Sequence, residues 1–391
     1  IRGSRTYNRL KNKVVCRLRE KDGVIMKLYQ MELYKLCCRK IFIVGAAAVM
    51  AIILLTFWVQ VMDEEATVDG VRYEGYQAVQ VNRQITEEFK GILTDEKAAQ
   101  IIEKYGFPEK VEKGWYYFRD TNFLNNFVTT YLTDAYVNNV DDYRVASFLY
   151  PIAESDLGAV REITGKEIVL EYYKGWESFI IVHYVGMVLG SILVIFTVSP
   201  LFAGEWQNRM LFLLFTTKEG KEKDITIRIK AAFTVSFIIW MGIFLLDLLL
   251  CGIVYGLDGL DCYSGVLTYL STWRSAGIIP MPSYIFMVLM LSFFGILSLC
   301  AITMCISALC KSSFHAVTMS AVCWGAPVLV AMFTNGFHGI GKLLTAAPVF
   351  MVIGETIDFI DDIWLMPIGI AFFVSVFCVF RAYRKYRGQR F

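Results

Sequence analysis

Between Lys40 and Asp63 the chain runs for 22 residues without an acidic or basic side chain, and comparable runs recur to its end. Hydrocarbon offers the backbone no water, so a run of about 20 apolar residues must close its own hydrogen bonds as a helix, long enough to cross about 30 Å. Six segments qualify as transmembrane helices: 41–62, 179–203, 231–256, 283–309, 316–337 and 363–380. With 56% hydrophobic and 19% charged residues among 391, the chain is too apolar for a soluble enzyme of its length. The expected fold is an α-helical polytopic membrane protein of six transmembrane helices with one polar domain between the first two.

Charge sets the expected orientation. Segments 1–40, 204–230, 310–315 and 381–391 hold 24 of the 38 Lys and Arg but 7 of the 36 Asp and Glu. The alternating segments 63–178, 257–282 and 338–362 hold 28 of the acids, and the two short ones carry a single base each, Arg274 and Lys342. Short basic loops stay on the cytoplasmic side. Both termini, the basic N-terminus 1–40 and the basic tail 381–391, are therefore expected in the cytoplasm, with 63–178 outside the plasma membrane. The run 41–62 is too long and too deep in the chain for a cleavable signal peptide, and Met26 would make a natural start after residues 1–25. In 26–40, Leu28, Met31, Tyr34 or Lys35, and Cys38 fall near one helical face. That pattern suits an interfacial helix leading into the first span; a plain basic flank fits as well.

The polar domain 63–178 contains no cysteine, so it must be held by its own core rather than by disulfides. Residues 85–105 read as helical with a break near Gly91, and Thr94 caps the second part. Trp115–Phe118, Phe123, Phe127, Tyr131 and Tyr136 supply aromatic core, while Ile168–Tyr173 reads as a strand or as the start of the descending helix. The domain is expected to be mixed or mainly helical. Cys300, Cys305 and Cys310 lack a metal-ligand spacing and are expected to pack as small apolar residues.

The most informative polar stretch is 201–230, which carries ten charges between two apolar runs. Pro200 is expected to kink the second span or release it into this loop. Glu205 is followed by an apolar face, Leu211, Leu214 and Phe215, then by Thr216-Thr217 and a charged turn, Lys218 to Asp224. Ile225 to Lys230 resume a helix into the next span. The set Glu205, Leu213, Leu214, Thr216, Thr217, Ile225 and Lys230 resembles the cytoplasmic loop of type-two ABC exporter permeases. Tyr76–Val79 and Phe89–Lys97 are similar to the large first-loop domains of such permeases from Gram-positive bacteria. Lys218-Glu-Gly departs from the Pro-x-Ser/Thr-Arg turn often found there. The resemblance implies a coupling helix that docks on a separate ATP-hydrolysing subunit through Gly204, Glu205, Arg209, Leu213, Leu214, Thr216, Thr217 and Lys218. It also implies a second permease subunit, identical or related, and a re-entrant or interfacial element before the last span, for which 343–354 is the candidate. ATP would sit on the partner, with no cofactor in this chain; the remaining partner is membrane lipid, and no nucleic acid is expected.

Asp247 is the one acid in the middle of a span. An acid there costs about 2.5–3.5 kcal/mol, so it should face a partner or water. It reads either as part of a translocation path or as a bonded structural acid, and no basic partner is evident at membrane depth. His183 reads as an interface residue. The sequence has no G-x-x-x-x-G-K-[ST] loop, no H-E-x-x-H and no G-x-S-x-G. Energy for transport would come from a partner or from an ion gradient. The alternatives are a membrane-anchored sensor acting through 63–178 and a gradient-driven carrier.

Overall fold

The computed structural model describes residues 26–110, 118–119, 121–137, 143–210, 223–267, 279–334, 339–354 and 365–388. A short helix α1, residues 26–37, leads into α2, Lys40–Met62. The polar domain follows, with α3 Tyr76–Phe89, α4 Asp95–Tyr105, α5 Phe123–Leu132 and α6 Asp156–Thr164. Then come α7 Lys174–Val198, α8 Pro200–Gln207, α9 Lys223–Val254, α10 Met281–Leu309, α11 Ser313–Phe333, the short α12 Pro348–Ile353 and α13 Leu365–Arg387. Six of these rods, with α7 and α8 counted as one, are long and apolar enough to cross a membrane. This is a helical multi-pass membrane protein, and the six apolar runs of the sequence are its long helices.

α7 and α10 are the centre of the bundle. Their apolar stretches are mostly buried within the protein, while those of α2, α9, α11 and α13 are mostly exposed, as suits helices facing lipid. Lipid is as apolar as leucine, so close packing rather than hydrophobic burial must hold such helices together. Gly186 and Gly190, one turn apart on α7, let Ile243 of α9 approach so closely that an added Cβ would lie 2.7 and 2.8 Å from it. α10 packs against α7, α9, α11, α12 and α13. The 343–354 segment does not cross the membrane: its helix α12 has six residues, and Val349, Phe350, Met351 and Val352 are buried against the bundle.

Pro200 ends α7 and starts α8 from its first turn, because it has no N–H to continue the ladder. Ser307 of α10 repairs the break. Its hydroxyl accepts from the N–H groups of Phe202 (3.0 Å) and Ala203 (3.1 Å) and donates to Ser199 O (2.6 Å).

In the polar domain the Thr94 hydroxyl accepts from the Lys97 N–H at 3.2 Å and starts α4. Asn122 starts α5 by exchanging side-chain and backbone hydrogen bonds with Asn125. The β structure is slight, four two-stranded antiparallel pairs among the described residues. Ile168–Tyr173 is a strand only at Val169–Leu170, which pairs with Gly91–Ile92. Phe123 meets the rings of Tyr172 and Tyr173 at 4.9 and 5.0 Å, so the aromatics form core where the domain joins α7. Trp115, Tyr116 and Tyr117 lie outside the described residues.

A charged clasp joins this domain to the turn after α9. Glu171 accepts from the Gly259 N–H at 2.8 Å and pairs with Lys90 at 3.3 Å, while Arg83 reaches Asp258 at 3.2 Å. The carboxylates, Glu171 foremost, outweigh partial burial and raise the Lys90 ammonium above its ordinary value. Burial pushes the nearby Cys262 thiol up to about 12, so it is a packed thiol rather than a reactive one.

Candidate functional site

At the end of the bundle away from the polar domain, four helices converge on one guanidinium. Arg228, on the first turns of α9, is 2% exposed. Its Nε bonds Asp224 Oδ2 one turn earlier at 2.7 Å, and its Nη1 bonds both Glu205 Oε1 on α8 and Leu201 O at 3.1 Å. Nη2 faces Glu32 of α1 at 3.6 Å. Lys35 of α1 bonds Glu205 from the other side. The carboxylates of Glu32 and Glu205 also draw Arg39, whose guanidinium is pushed down by burial against their pull. Tyr386 of α13 closes the cluster, fully buried and 4.8 Å from the Phe202 ring.

The spacing explains the cluster. Asp224 and Arg228 stand four residues apart on one helix face, and an arginine fork can serve several acceptors at once. A buried guanidinium without such partners would not be tolerated. The network therefore ties α1, α8 and α9 together at the two ends of the loop between the second and third spans. A cleft of about 840 Å³ opens beside it between α1 and α8, lined by Lys27, Met31, Tyr34 and Lys35 together with Glu205 and Arg228.

The expected coupling residues separate here. Glu205 is buried and paired within the chain, so it is no free docking contact; its partners are Lys35, 170 residues away, and Arg228. A Cβ added at Gly204 would meet Pro200 and Ser313 at 3.5 Å, an ordinary contact, so the position does not demand glycine for space. Arg209 sits in the turn that ends α8, with a positive φ of 57° and an exposed side chain. Gln207 accepts from the Ser313 N–H at 3.1 Å and fixes α8 to the start of α11. Leu213, Leu214, Thr216, Thr217 and Lys218 lie outside the described residues. The apolar face expected for 26–40 points outward, with Met31 and Tyr34 exposed. The opposite face, with Tyr29, Glu32, Leu33 and Leu36, turns inward, because the charge network and the Tyr29–Thr234 hydrogen bond (2.8 Å) choose it.

A second polar cluster lies at membrane depth and corrects two expectations. His183 is not an interface residue, and Asp247 is not without a basic partner. Both are fully buried, and His183 Nδ1 lies 3.1 Å from Asp247 Oδ2. His183 Nε2 lies 3.2 Å from Ser292 Oγ on α10, which also accepts from Trp240 Nε1 at 3.0 Å. The Ser292 hydroxyl spends its one hydrogen on Leu289 O at 3.0 Å. In that arrangement the hydroxyl accepts from the ring and Nε2 is the donor. One further proton lies between Nδ1 and Oδ2. On either atom the pair is neutral overall, which is how an acid and a base can share a dry interior. Asp247 lies seven residues before the end of α9, about 10 Å of helix rise, in the half of the bundle nearer the polar domain.

Among the described residues no three His, Cys, Asp or Glu side chains gather as metal ligands. Comparison with protein-family models, with curated proteins and with solved structures finds no match.

Proposed function

We propose that this chain is the membrane-spanning permease subunit of an ABC exporter, moved by a separate ATP-hydrolysing partner that docks on the loop between the second and third spans. The observation that carries the reading is the Arg228 network. It joins the two ends of that loop to α1, while Ser307 joins α8 to the central helix α10. Force applied to 211–222 would reach α7, α9 and α10 together, as switching a bundle between two states requires. In this reading Leu213, Leu214, Thr216, Thr217 and Lys218 carry the docking, with Gly204 and Arg209 shaping the exit from α8. Glu205 transmits rather than contacts. The polar domain is extracellular, both termini are cytoplasmic, and a second permease subunit completes the transporter in the plasma membrane. ATP stays on the partner, with no cofactor in this chain.

The test is co-purification in mild detergent with an ATPase bearing a phosphate-binding loop, and loss of ATPase stimulation in Leu214→Asp. A stable Leu214→Asp protein that still stimulates its partner would overturn the docking assignment. The neutral His183–Asp247 pair favours one other reading, a carrier driven by a proton gradient. In vesicles, a protonophore that stops transport while ATP is present would decide for it; vanadate inhibition would decide against it.

A further inference from the structure

A groove of about 640 Å³ runs along the outside of the bundle where α9 and α13 both lean on α10 but diverge from each other. Phe294 and Leu297 of α10 form its floor. Phe233 of α9 and Phe372, Val376 and Phe380 of α13 form its walls, and the α13 side chains are more than half exposed. At one end stand Thr226, Lys230 and Tyr383. The groove is therefore apolar along its length and polar at one mouth.

Its length matches the depth of one leaflet. From Phe372 to Tyr383 α13 advances eleven residues, about 16 Å, close to half of the ~30 Å hydrocarbon core. The mouth carries charge of one sign. Lys230 is exposed and has no carboxylate partner among the described residues. On α13, Arg384 sets its guanidinium 5.1 Å from the centre of the Phe380 ring that walls the groove. None of the groove-lining residues is acidic.

We infer that this groove binds an anionic phospholipid, with an acyl chain against Phe294, Phe372 and Val376 and the phosphate at Lys230 and Arg384. A second copy of the chain fits less well, because a two-fold contact through this face would set the Lys230 and Arg384 of one copy against those of the other. Basic sites between membrane helices recognise anionic headgroups. The inference needs only the membrane setting and stands whether or not the chain is an exporter.

The experiment is native mass spectrometry of the full chain after reconstitution in equal phosphatidylglycerol and phosphatidylcholine. Phosphatidylglycerol is expected to be retained in excess. Lys230→Ala lowers that excess about fivefold, the effect of one cation near the headgroups. Ser375→Trp, which fills the groove from its α13 wall, lowers retention of both lipids. Equal retention of the two lipids by the unaltered protein overturns the proposal. So does an excess untouched by either variant, and so does a disulfide between two copies of Val376→Cys in the bilayer, which would make the occupant a second copy.

Discussion

Removing His183 should damage the protein more than removing His183 and Asp247 together. In His183→Leu the Asp247 carboxyl loses its only hydrogen-bond partner among the described residues, since Oδ1 already lacks one. An acid so stranded at membrane depth costs about 2.5–3.5 kcal/mol. In Asp247→Leu the histidine keeps its bond to Ser292 and loses only the partner of Nδ1, a loss of about 1–2 kcal/mol. The double Leu variant removes both polar groups and costs about 1 kcal/mol or less, since buried pairs are often replaced by apolar side chains without loss. The cycle therefore carries a coupling of about 2.5–5.5 kcal/mol, well above the error of adding independent effects. Thermal unfolding in mild detergent, followed by the exposure of the buried thiols of Cys251 and Cys300, reads all four proteins. A double variant as unstable as the sum of the singles would refute the pairing. A His183→Leu protein as stable as the parent would refute the burial argument.

Arg228→Met leaves Glu32, Asp224 and Glu205 facing one another, and is expected to cost about 3–5 kcal/mol in the same assay. Lys35→Ala removes a side chain that is 39% exposed and should cost about 1 kcal/mol or less. Burial lifts the Glu64 carboxyl above its ordinary range, helped by Glu177 and Asp63 and opposed by Lys174. A raised folded value means that stability is full below the unfolded carboxylate pKa of about 4.3 and falls as pH rises through the folded one. Glu64→Gln should therefore flatten the unfolding temperature over that window and raise it at pH 7; an unchanged slope would count against the assignment. Gly190→Leu should force α7 away from Ile243 and destabilise the bundle by about 1–3 kcal/mol or more, measured as for the other variants.

The difference between what could and could not be read in advance lies in chain distance. The six long helices were legible because each is a local property, an apolar run long enough to cross the hydrocarbon. Thr94 was legible as a cap for the same reason, since its partner Lys97 is three residues on. His183 and Asp247 are 64 residues apart, and Glu205 and Lys35 are 170 apart. Nothing in the local pattern of either pair names the other. One signal was available: an acid in a span requires a partner, and His183 is the only basic side chain at depth in the spans before it. The same logic bears on Glu205. A carboxylate at the end of a span, with Arg228 and Asp224 one turn apart at the start of the next, reads as surface charge until the helices are side by side. Once they are, the glutamate is a buried partner of Lys35 and Arg228. In the proposed reading the docking residues are those between Leu213 and Lys218, so a substitution at Glu205 tests the lever, whereas one at Leu214 tests the contact.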